Sequence, residues 1–395
     1  MNNTSTPSCT ACGTSDVQVF VEIQQVPVHC NVLWPTPSEA LAAPRGDLTL
    51  GYCRKCGHVS NLAFDPMLME YTQAYENSLH FSPSFQRFAE DLADSLIQRY
   101  GLRDKDIVDI GCGKGDFLKL ICKRGGNRGK GFDPSYVPTE EDARTSPEVT
   151  FIQEFYSEHH QHYKADLVAC RHVLEHIQHP RGFVASVRRS IGNRPNTAVY
   201  FEVPNVLYTL RDLGIWDIIY EHCSYFCANS MAGVFTSSGF DVTDTTETFG
   251  GQYLGLQAMP GDKPTGVVKT TTNDLQAMNK LVEAFSVKYS NKVGEWKETF
   301  VRLNRDGRKA VVWGGGSKGV TFLNTFAGLQ DIGYMVDINP RKQGMYVAGT
   351  GQRIISPEFL REYKPDVVIV MNSLYKEEIR TQIAALGLSP EFLFG

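Results

Sequence analysis

The chain lacks any apolar run of membrane-spanning length, and its N-terminus lacks a basic segment followed by a hydrophobic stretch. It also lacks an excess of basic residues, since 39 Lys and Arg stand against 44 Asp and Glu, for a formal net charge of −5 at pH 7. Contacts to nucleic-acid phosphates need a basic surface, so this balance disfavours a nucleic-acid partner. We therefore expect a cytoplasmic protein with neither a membrane nor a nucleic acid as its partner.

A disulfide framework is also not indicated. Four of the ten cysteines form two Cys-x-x-Cys pairs, Cys9 with Cys12 and Cys53 with Cys56, which fit metal binding in a reducing compartment better. Two such pairs complete a tetrahedral four-sulfur zinc site, and four thiolates leave no open position, so the zinc is expected to be structural. Redox dithiols or free thiols are the alternatives. Other candidate ligands, whose spacing fits less well, are His29, Cys30 and His58.

At 395 residues the chain is too long for one compact core. We expect three domains, at residues 1–75, 76–259 and 260–395. A helix is expected up to Tyr100, where apolar residues recur at helical spacing from Phe85 onwards. A linker is expected between Pro260 and Asn273, which is rich in Pro, Gly, Thr and Lys.

The central part is organised around residues 106–118, an apolar strand-like run that breaks into glycines and restarts as a helix. Gly111, Gly113 and Gly115 allow a tight turn with a ligand against the backbone, and Asp116 is expected to cap the helix. The Gly-x-Gly-x-Gly spacing departs from the Gly-x-Gly-x-x-Gly that cradles a pyrophosphate. This departure favours a ligand with ribose and adenine but no phosphate, such as S-adenosylmethionine. An ordinary strand-to-helix loop is the alternative.

Further strands are predicted after this turn, each followed by a polar side chain. Strands that alternate with helices indicate a parallel α/β sheet with its ligand across the carboxyl ends of the strands. We expect a carboxylate at the second strand end to meet ribose hydroxyls. The predicted cofactor-binding residues are Asp109, Gly111, Gly113, Asp133, Pro134, Gln153, Arg171 and His172.

A cluster of titratable and aromatic groups lies in residues 218–226. His222, beside Glu221 and between Tyr220 and Tyr225, could serve as a base with hydrogen-bond donors for a developing oxyanion. A buried histidine with aromatic packing explains the pattern equally well. His176 has the same ambiguity.

The C-terminal part repeats the strand, glycine turn and helix pattern in residues 310–327. Two further predicted strands, around residues 334–337 and 367–371, indicate a second, smaller Rossmann-like sheet. Ser317 and Lys318 offer a hydroxyl and an ammonium for a phosphate at a helix N-terminus. A purely structural turn is the alternative.

Three motifs together give the chain a family resemblance. They are the paired Cys-x-x-Cys, the Glu221-His222-x-x-Tyr225-Phe226 motif, and the stretch from Val336-Asp-x-Asn-Pro-x-Lys-Gln-Gly344 to Gly349-Thr350. With them, nearly the whole chain resembles the sugar C-methyltransferases of deoxysugar biosynthesis, which methylate a nucleotide-linked 4-keto sugar at C3. The resemblance implies a zinc domain, a class I S-adenosylmethionine domain and a C-terminal Rossmann-like domain.

The resemblance also implies residue roles. His222 would be the acid/base, assisted by Glu221 and Tyr220, and Tyr75 and His176 would project towards the sugar. The residues implied at the substrate are Ser317, Lys318, Tyr225 and Gln252.

Two departures from the family pattern affect the substrate site. Ile219 stands where the family motif begins with tyrosine, and Phe249-Gly-Gly-Gln252 replaces His-Gly-Gly-Ser. O- or N-methylation of another small metabolite is therefore an alternative to C-methylation. A zinc-bearing RNA methyltransferase and a non-catalytic scaffold are weaker alternatives, and the sequence does not predict the oligomeric state.

Overall fold

The computed structural model describes residues 8–69, 75–138, 144, 146, 148–261, 272–329 and 331–395. Most of the predicted 260–273 linker lies outside these residues. The strands are β1 (Val17–Pro27), β2 (Arg45–Cys53), β3 (Val59–Asn61), β4 (Asp106–Ile110), β5 (Arg128–Phe132), β6 (Val149–Ile152), β7 (Leu167–Arg171), β8 (Ala198–Pro204), β9 (Ser224–Tyr225), β10 (Phe240–Thr248), β11 (Tyr253–Pro260), β12 (Ala310–Trp313), β13 (Ile332–Val336), β14 (Arg353–Ile355), β15 (Val367–Val370) and β16 (Glu391–Phe394).

The α-helices are interleaved with these strands. They are α1 (Pro37–Leu41), α2 (Pro83–Tyr100), α3 (Asp116–Gly125), α4 (Pro180–Ile191), α5 (Val206–Leu210), α6 (Ala228–Ser237), α7 (Thr272–Arg305), α8 (Ser317–Thr325), α9 (Leu360–Tyr363) and α10 (Lys376–Ala385). None of these helices, nor any other in the described part of the chain, is long and apolar enough to cross a membrane.

The central sheet has seven strands in the order β10-β11-β8-β7-β4-β5-β6. The five strands from β8 to β6 are parallel, and β11 pairs antiparallel with β8. The strand order reverses between β4 and β7, which is where open α/β sheets bind their ligands. This is the class I methyltransferase α/β fold that the sequence predicts. The edge strand β10 was not predicted, because its burial pattern lacks a regular alternation.

The C-terminal sheet has five strands in the order β14-β13-β12-β15-β16, all parallel. Its order reverses between β12 and β15. The short strands β14 and β16 were not predicted. Helix α8 begins at Ser317, directly after the glycine turn, so that Ser317 and Lys318 form its first turn.

The N-terminal sheet has the order β1-β2-β3-β9. Its last strand comes from the central part of the sequence, since Ser224 and Tyr225 pair with Ser60 and Val59. The sequence did not indicate this pairing, because a two-residue strand leaves no periodic pattern. The segment that carries His222 is therefore part of the N-terminal sheet.

One hydrophobic core joins all three parts of the chain. It contains Leu50 from β2, Trp216 from the segment after α5, and Phe322 from α8. The rings of Trp216 and Phe322 meet edge to face with centroids 4.9 Å apart. The three parts therefore bury some of their apolar side chains against one another and not only within themselves.

Helix α3 corrects one local prediction. Its N-cap is Gly115, at φ +78°, and Asp116 is the first helical residue. The Asp116 carboxylate instead accepts a hydrogen bond from the Ser78 hydroxyl at 2.8 Å.

Candidate active site

The carboxyl ends of the central and C-terminal sheets face a shared cavity of about 270 Å³. Parallel strands of an open α/β sheet present their ligand-binding groups at these ends. Residues at or just after strand ends that line the cavity are His172, Pro204, Trp313, Asp337 and Met371.

The predicted site residues divide into two groups. Those that line the cavity are Tyr75, His172, His176, His222, Gln252, Ser317 and Lys318. Those outside its lining are Tyr220, Glu221, Tyr225, Asp109, Gly111, Gly113, Asp133, Pro134, Gln153 and Arg171. Tyr71, a second tyrosine near Tyr75 whose ring could reach a neighbouring active site, lies outside the described residues.

His222 is 9% exposed, and its ring meets that of His176 edge to face, with centroids 5.0 Å apart. Its Nδ1 has no hydrogen-bond partner within the described ranges. Burial lowers the pKa of His222 well below its ordinary value, and His176, His172 and Lys318 lower it further, while the main chain of Asp217 opposes them. The ring is therefore neutral near pH 7.

Glu221 does not assist His222 through its side chain, which corrects the sequence prediction. Its buried carboxylate accepts a hydrogen bond from the Cys30 amide at 3.1 Å and lies 3.8 Å from Nδ1 of His29. Only its main-chain carbonyl faces the site, 2.9 Å from Nδ1 of His176. Glu221 thus links the N-terminal segment to the chain that carries His222.

Neither predicted oxyanion donor reaches the cavity, which is a second correction. The Tyr220 hydroxyl accepts from the Asp65 amide at 2.8 Å. The Tyr225 hydroxyl accepts from the Ile219 amide at 3.2 Å and donates to the Ile219 carbonyl at 3.1 Å. Both phenols therefore hold backbone segments in place.

Glu175 is a cavity residue that the sequence prediction missed. Its Oε1 lies 3.6 Å from Nδ1 of His172 and 4.0 Å from Nε2 of His176, and its buried Oε2 has no hydrogen-bond partner in the described part of the chain. Glu175, His176 and His222 each offer a ligand atom, and these atoms lie within 4.8 Å of one another. The His-x-x-Glu-His spacing from residue 172 to 176 was the available signal.

Arg171 is committed to a buried ion pair, so the structure does not support the prediction that it binds a cofactor. Its Nε and a terminal nitrogen donate to the same oxygen of Glu202 at 2.9 and 2.7 Å, and its guanidinium lies 4.4 Å from the centre of the Phe117 ring. Burial disfavours the Glu202 anion, but Arg171 and His172 outweigh it and hold the pKa of Glu202 at about 2. Burial likewise opposes the charge on His172, yet Glu175 and Glu202 raise its pKa to about 9.

The glycine turn lies at the carboxyl end of β4. Gly111 and Gly113 have φ of +69° and +56°, a region that side chains disfavour. The Gly113 amide donates to Asp133 at 2.9 Å, and the other Asp133 oxygen accepts from the Ser135 amide at 2.8 Å. The Ser135 hydroxyl also donates to that second oxygen at 2.6 Å, so the oxygen that faces the Gly113 amide is the one that can accept a further hydrogen bond from a ribose hydroxyl.

Three more predicted residues lie around this turn. Asp109 is buried beneath it, and burial raises its pKa to about 7. The Pro134 carbonyl accepts from the Gln153 amide nitrogen at 3.3 Å, so both lie at the same edge of the sheet.

Lys318 and Asp217, which both line the cavity, form a close ion pair. Gln252 and Asn372 exchange side-chain amide hydrogen bonds of 2.8 and 3.0 Å, which join the central and C-terminal sheets across the cavity. The cavity thus has a charged pair at one side and a neutral amide pair at another.

The four predicted metal ligands converge away from this cavity. Sγ of Cys9 lies 3.7 Å from that of Cys56, and Sγ of Cys12 lies 3.6 Å from that of Cys53. A disulfide needs about 2.05 Å, so these thiols are not bonded to each other. Four sulfurs at about 2.3 Å from a zinc ion stand about 3.8 Å apart, which is close to the observed distances.

Two family models match the chain. Residues 85–245 match a methyltransferase domain, and residues 263–389 match a C-methyltransferase C-terminal domain. C-methyltransferase NovU of Streptomyces niveus is 25% identical over 387 residues, which cover 94% of this chain and 90% of that protein.

Two further similarities cover part of the chain. A ubiquinone biosynthesis O-methyltransferase of Yersinia enterocolitica is 26% identical over 118 residues, which cover 28% of this chain and 48% of that protein. The crystal structure of Burkholderia thailandensis 1,6-didemethyltoxoflavin-N1-methyltransferase, with bound S-adenosylhomocysteine, is 16% identical with a TM-score of 0.35. That alignment covers 46% of this chain and 82% of the other.

Proposed function

We propose that this protein, an S-adenosylmethionine-dependent C-methyltransferase, methylates a carbon next to the carbonyl of a nucleotide-linked keto sugar. The observation that supports the proposal is the shared cavity, because His222, Ser317 and Lys318 all line it. The sugar would lie beside His222. The diphosphate would lie at the N-terminus of α8, where main-chain amides and a cation favour anions.

The methyl donor is proposed to lie along the carboxyl edge of the central sheet, over the Gly111 to Gly115 turn. Asp133 would accept hydrogen bonds from the ribose, and the sulfonium methyl would point into the cavity. Asp217 shares the Lys318 ammonium, so a diphosphate must compete with this carboxylate for it. Substrate binding is therefore expected to loosen the Asp217–Lys318 pair.

The reaction needs deprotonation and alignment. The His222 ring would accept the proton from the carbon next to the carbonyl, and the electron pair of the broken C–H bond would form the enolate. That carbon would then attack the sulfonium methyl in line as the sulfur–methyl bond breaks, which would release S-adenosylhomocysteine. The sulfonium needs no activation, so holding the two reactants in line in a closed cavity supplies much of the rate.

The test is His222→Ala, with His162→Ala as its control, because His162 is exposed and does not line the cavity. We expect His222→Ala to abolish methyl transfer to a nucleotide keto sugar while calorimetry shows unchanged S-adenosylmethionine affinity. Intact turnover in His222→Ala, or loss of cofactor binding, would contradict the assignment.

O- or N-methylation of another small molecule is the second candidate. Ile219 favours it, because this aliphatic side chain lines the cavity where the resemblance implies a tyrosine hydroxyl. NMR of the product decides between the two candidates, since a methyl group on carbon resonates far upfield of one on oxygen or nitrogen.

For the four-cysteine cluster we propose structural zinc, which would tie residues 8–16 to the β2–β3 turn. The sulfur separations support a tetrahedral site. Elemental analysis of the purified chain should find zinc that Cys53→Ser releases. We propose three domains at residues 1–75, 76–259 and 260–395, which pack against one another through the shared hydrophobic core.

A further inference from the structure

The carboxyl end of β13 repeats a hydrogen-bond pattern of the central sheet. In the central sheet, the Asp133 carboxylate accepts from an amide of the glycine turn and from the amide two residues further along the chain. In the C-terminal sheet, one Asp337 oxygen accepts from the Gly315 amide and the other from the Asn339 amide, each at 2.7 Å. Each aspartate follows the second strand of its strand, glycine turn, helix and strand unit, which is where Rossmann-like folds bind a ribose.

The two aspartates differ in the capacity that they leave for a ligand. The Ser135 hydroxyl takes a second place on one Asp133 oxygen, at 2.6 Å. The corresponding residue of the C-terminal sheet is Asn339, whose side-chain nitrogen instead donates to the buried Glu76 carboxylate at 3.1 Å. Within the described ranges each Asp337 oxygen therefore accepts a single hydrogen bond, so this carboxylate can accept from two adjacent hydroxyls.

The Asp337 carboxylate is fixed by the main chain and is accessible from the cavity, whose lining it shares with Gly314 and Gly316. A Cβ added to Gly316 would meet no atom within 4 Å, so there is open space beside the glycine turn. A Cβ added to Gly315 would lie 2.8 Å from an oxygen of Asp337, so a glycine is needed there for the carboxylate to reach the backbone. The turn thus holds a preorganised acceptor at a space that a ligand can enter.

A buried cation accompanies this carboxylate. Lys342 is 4% exposed, lines the same cavity and donates to the Gly315 carbonyl at 3.0 Å. It forms no ion pair with any residue that the structure describes. An ammonium has three donors, so two remain for a ligand, and a buried charge without a counterion is costly. A phosphate would supply both the acceptor oxygens and the negative charge.

We propose that the methyl acceptor carries its sugar on a ribonucleoside diphosphate, with the 2′- and 3′-hydroxyls of the ribose on Asp337 and a phosphate on Lys342. The inference rests on the proposed function and specifies the nucleotide, because a ribose offers two adjacent hydroxyls and a 2′-deoxyribose only one. The other phosphate would lie at the N-terminus of α8, between the ribose and the sugar. None of these contacts involves His222, which remains the base.

The test is calorimetry on the full chain, purified with its four-cysteine site loaded. The probes are the nucleoside diphosphates of adenine, guanine, cytosine, uracil and thymine, each as the ribose and the 2′-deoxyribose form. We expect at least one ribonucleoside diphosphate to bind. Its 2′-deoxy counterpart should bind at least about tenfold more weakly, because it lacks one hydrogen bond to a charged acceptor.

Three variants separate the contacts. Asp337→Asn should bring the two affinities of a pair together, because an amide has one acceptor oxygen where a carboxylate has two. Lys342→Met should weaken both members of the pair alike and keep their ratio. Asp331→Asn is the control and should alter neither affinity, because Asp331 is exposed just before β13 and does not line the cavity.

A 2′-deoxynucleotide that binds the wild-type chain as tightly as its ribose counterpart overturns the inference without recourse to any variant, and leaves the proposed function standing. An Asp337→Asn chain with the wild-type circular dichroism spectrum and the full ribose preference overturns it as well. If no nucleoside diphosphate binds, the inference falls together with the proposed nucleotide-linked acceptor. If the ribose preference is found but the product carries its new methyl group on oxygen or nitrogen, the inference stands and the proposed C-methylation falls.

Discussion

Replacement of Arg171 by methionine tests whether this side chain serves the fold or the cofactor. The substitution keeps much of the aliphatic stem and removes the guanidinium that donates two hydrogen bonds to Glu202. Glu202 is fully buried and would be left with His172 at 3.3 Å and with two hydroxyl donors, Tyr200 at 2.8 Å and Thr248 at 3.3 Å.

The expected cost follows from the burial of the pair. Removing one partner of a buried ion pair costs about 3–5 kcal/mol, because a buried charge is left uncompensated. The three remaining partners of Glu202 place the expected loss at the lower end, about 3 kcal/mol. Replacing both residues, as Arg171→Met with Glu202→Gln, removes the charge as well and should recover at least about 1 kcal/mol relative to the sum of the single changes.

Urea unfolding followed by circular dichroism measures these differences, and calorimetry on the double variant measures its affinity for S-adenosylmethionine. We expect the double variant to bind the cofactor, because the Arg171 guanidinium is engaged with the buried Glu202 carboxylate and the Phe117 ring. The reasoning is refuted if Arg171→Met unfolds at the wild-type urea concentration, or if the double variant is as unstable as the two single changes added together.

Two further predictions concern the glycine turn and the acid beneath it. Gly111→Ala should lower the free energy of unfolding by more than about 2 kcal/mol, because φ is +69° and the new Cβ would lie 2.1 Å from a methyl of Val173. The control is Gly182→Ala, whose new Cβ would meet open space within α4. It should be neutral or slightly stabilising in the same urea assay. Burial raises the pKa of Asp109 to about 7, with Arg171 opposing and Asp133 adding to the shift. Between about pH 4 and pH 7 the Asp109 carboxyl therefore holds its proton in the folded state and has lost it in the unfolded state. The free energy of unfolding should fall over this range as the pH rises, by at most about 4 kcal/mol. Asp109→Asn should abolish this contribution, and urea midpoints that show the same pH slope in both proteins would contradict it.

Much of the central sheet could be predicted because its strands are short, apolar and followed by glycine or polar residues. The turn from Gly111 to Gly115 and the strand end before Asp133 are local features, so sequence spacing is enough to place them at one edge. Seven of the predicted site residues line the cavity, and the roles assigned to them stay predictions.

The incorrect details depend on contacts distant in sequence. Tyr220, Glu221 and His222 are consecutive, yet they point at Asp65, Cys30 and the cavity, because an irregular segment turns each side chain in a different direction. No local pattern encodes which direction faces the site.

Arg171 illustrates the same limit in a regular element. It stands opposite Glu202 in the pairing of β7 with β8, so the two charges neutralise each other across neighbouring strands. The sequence shows an arginine at a strand end, where a ligand would also lie. Only the register of the two strands identifies its partner.

The pairing of β3 with β9 constrains the order in which the chain can fold during synthesis. Residues 17–61 emerge early, but the fourth strand of their sheet arrives only with Ser224 and Tyr225. Until then the edge of β3 has no permanent neighbour, and exposed strand edges are prone to pair with other chains. The sheet therefore remains incomplete while residues 62–223, about two fifths of the protein, are synthesised. The strand that completes it lies directly after the segment that carries His222.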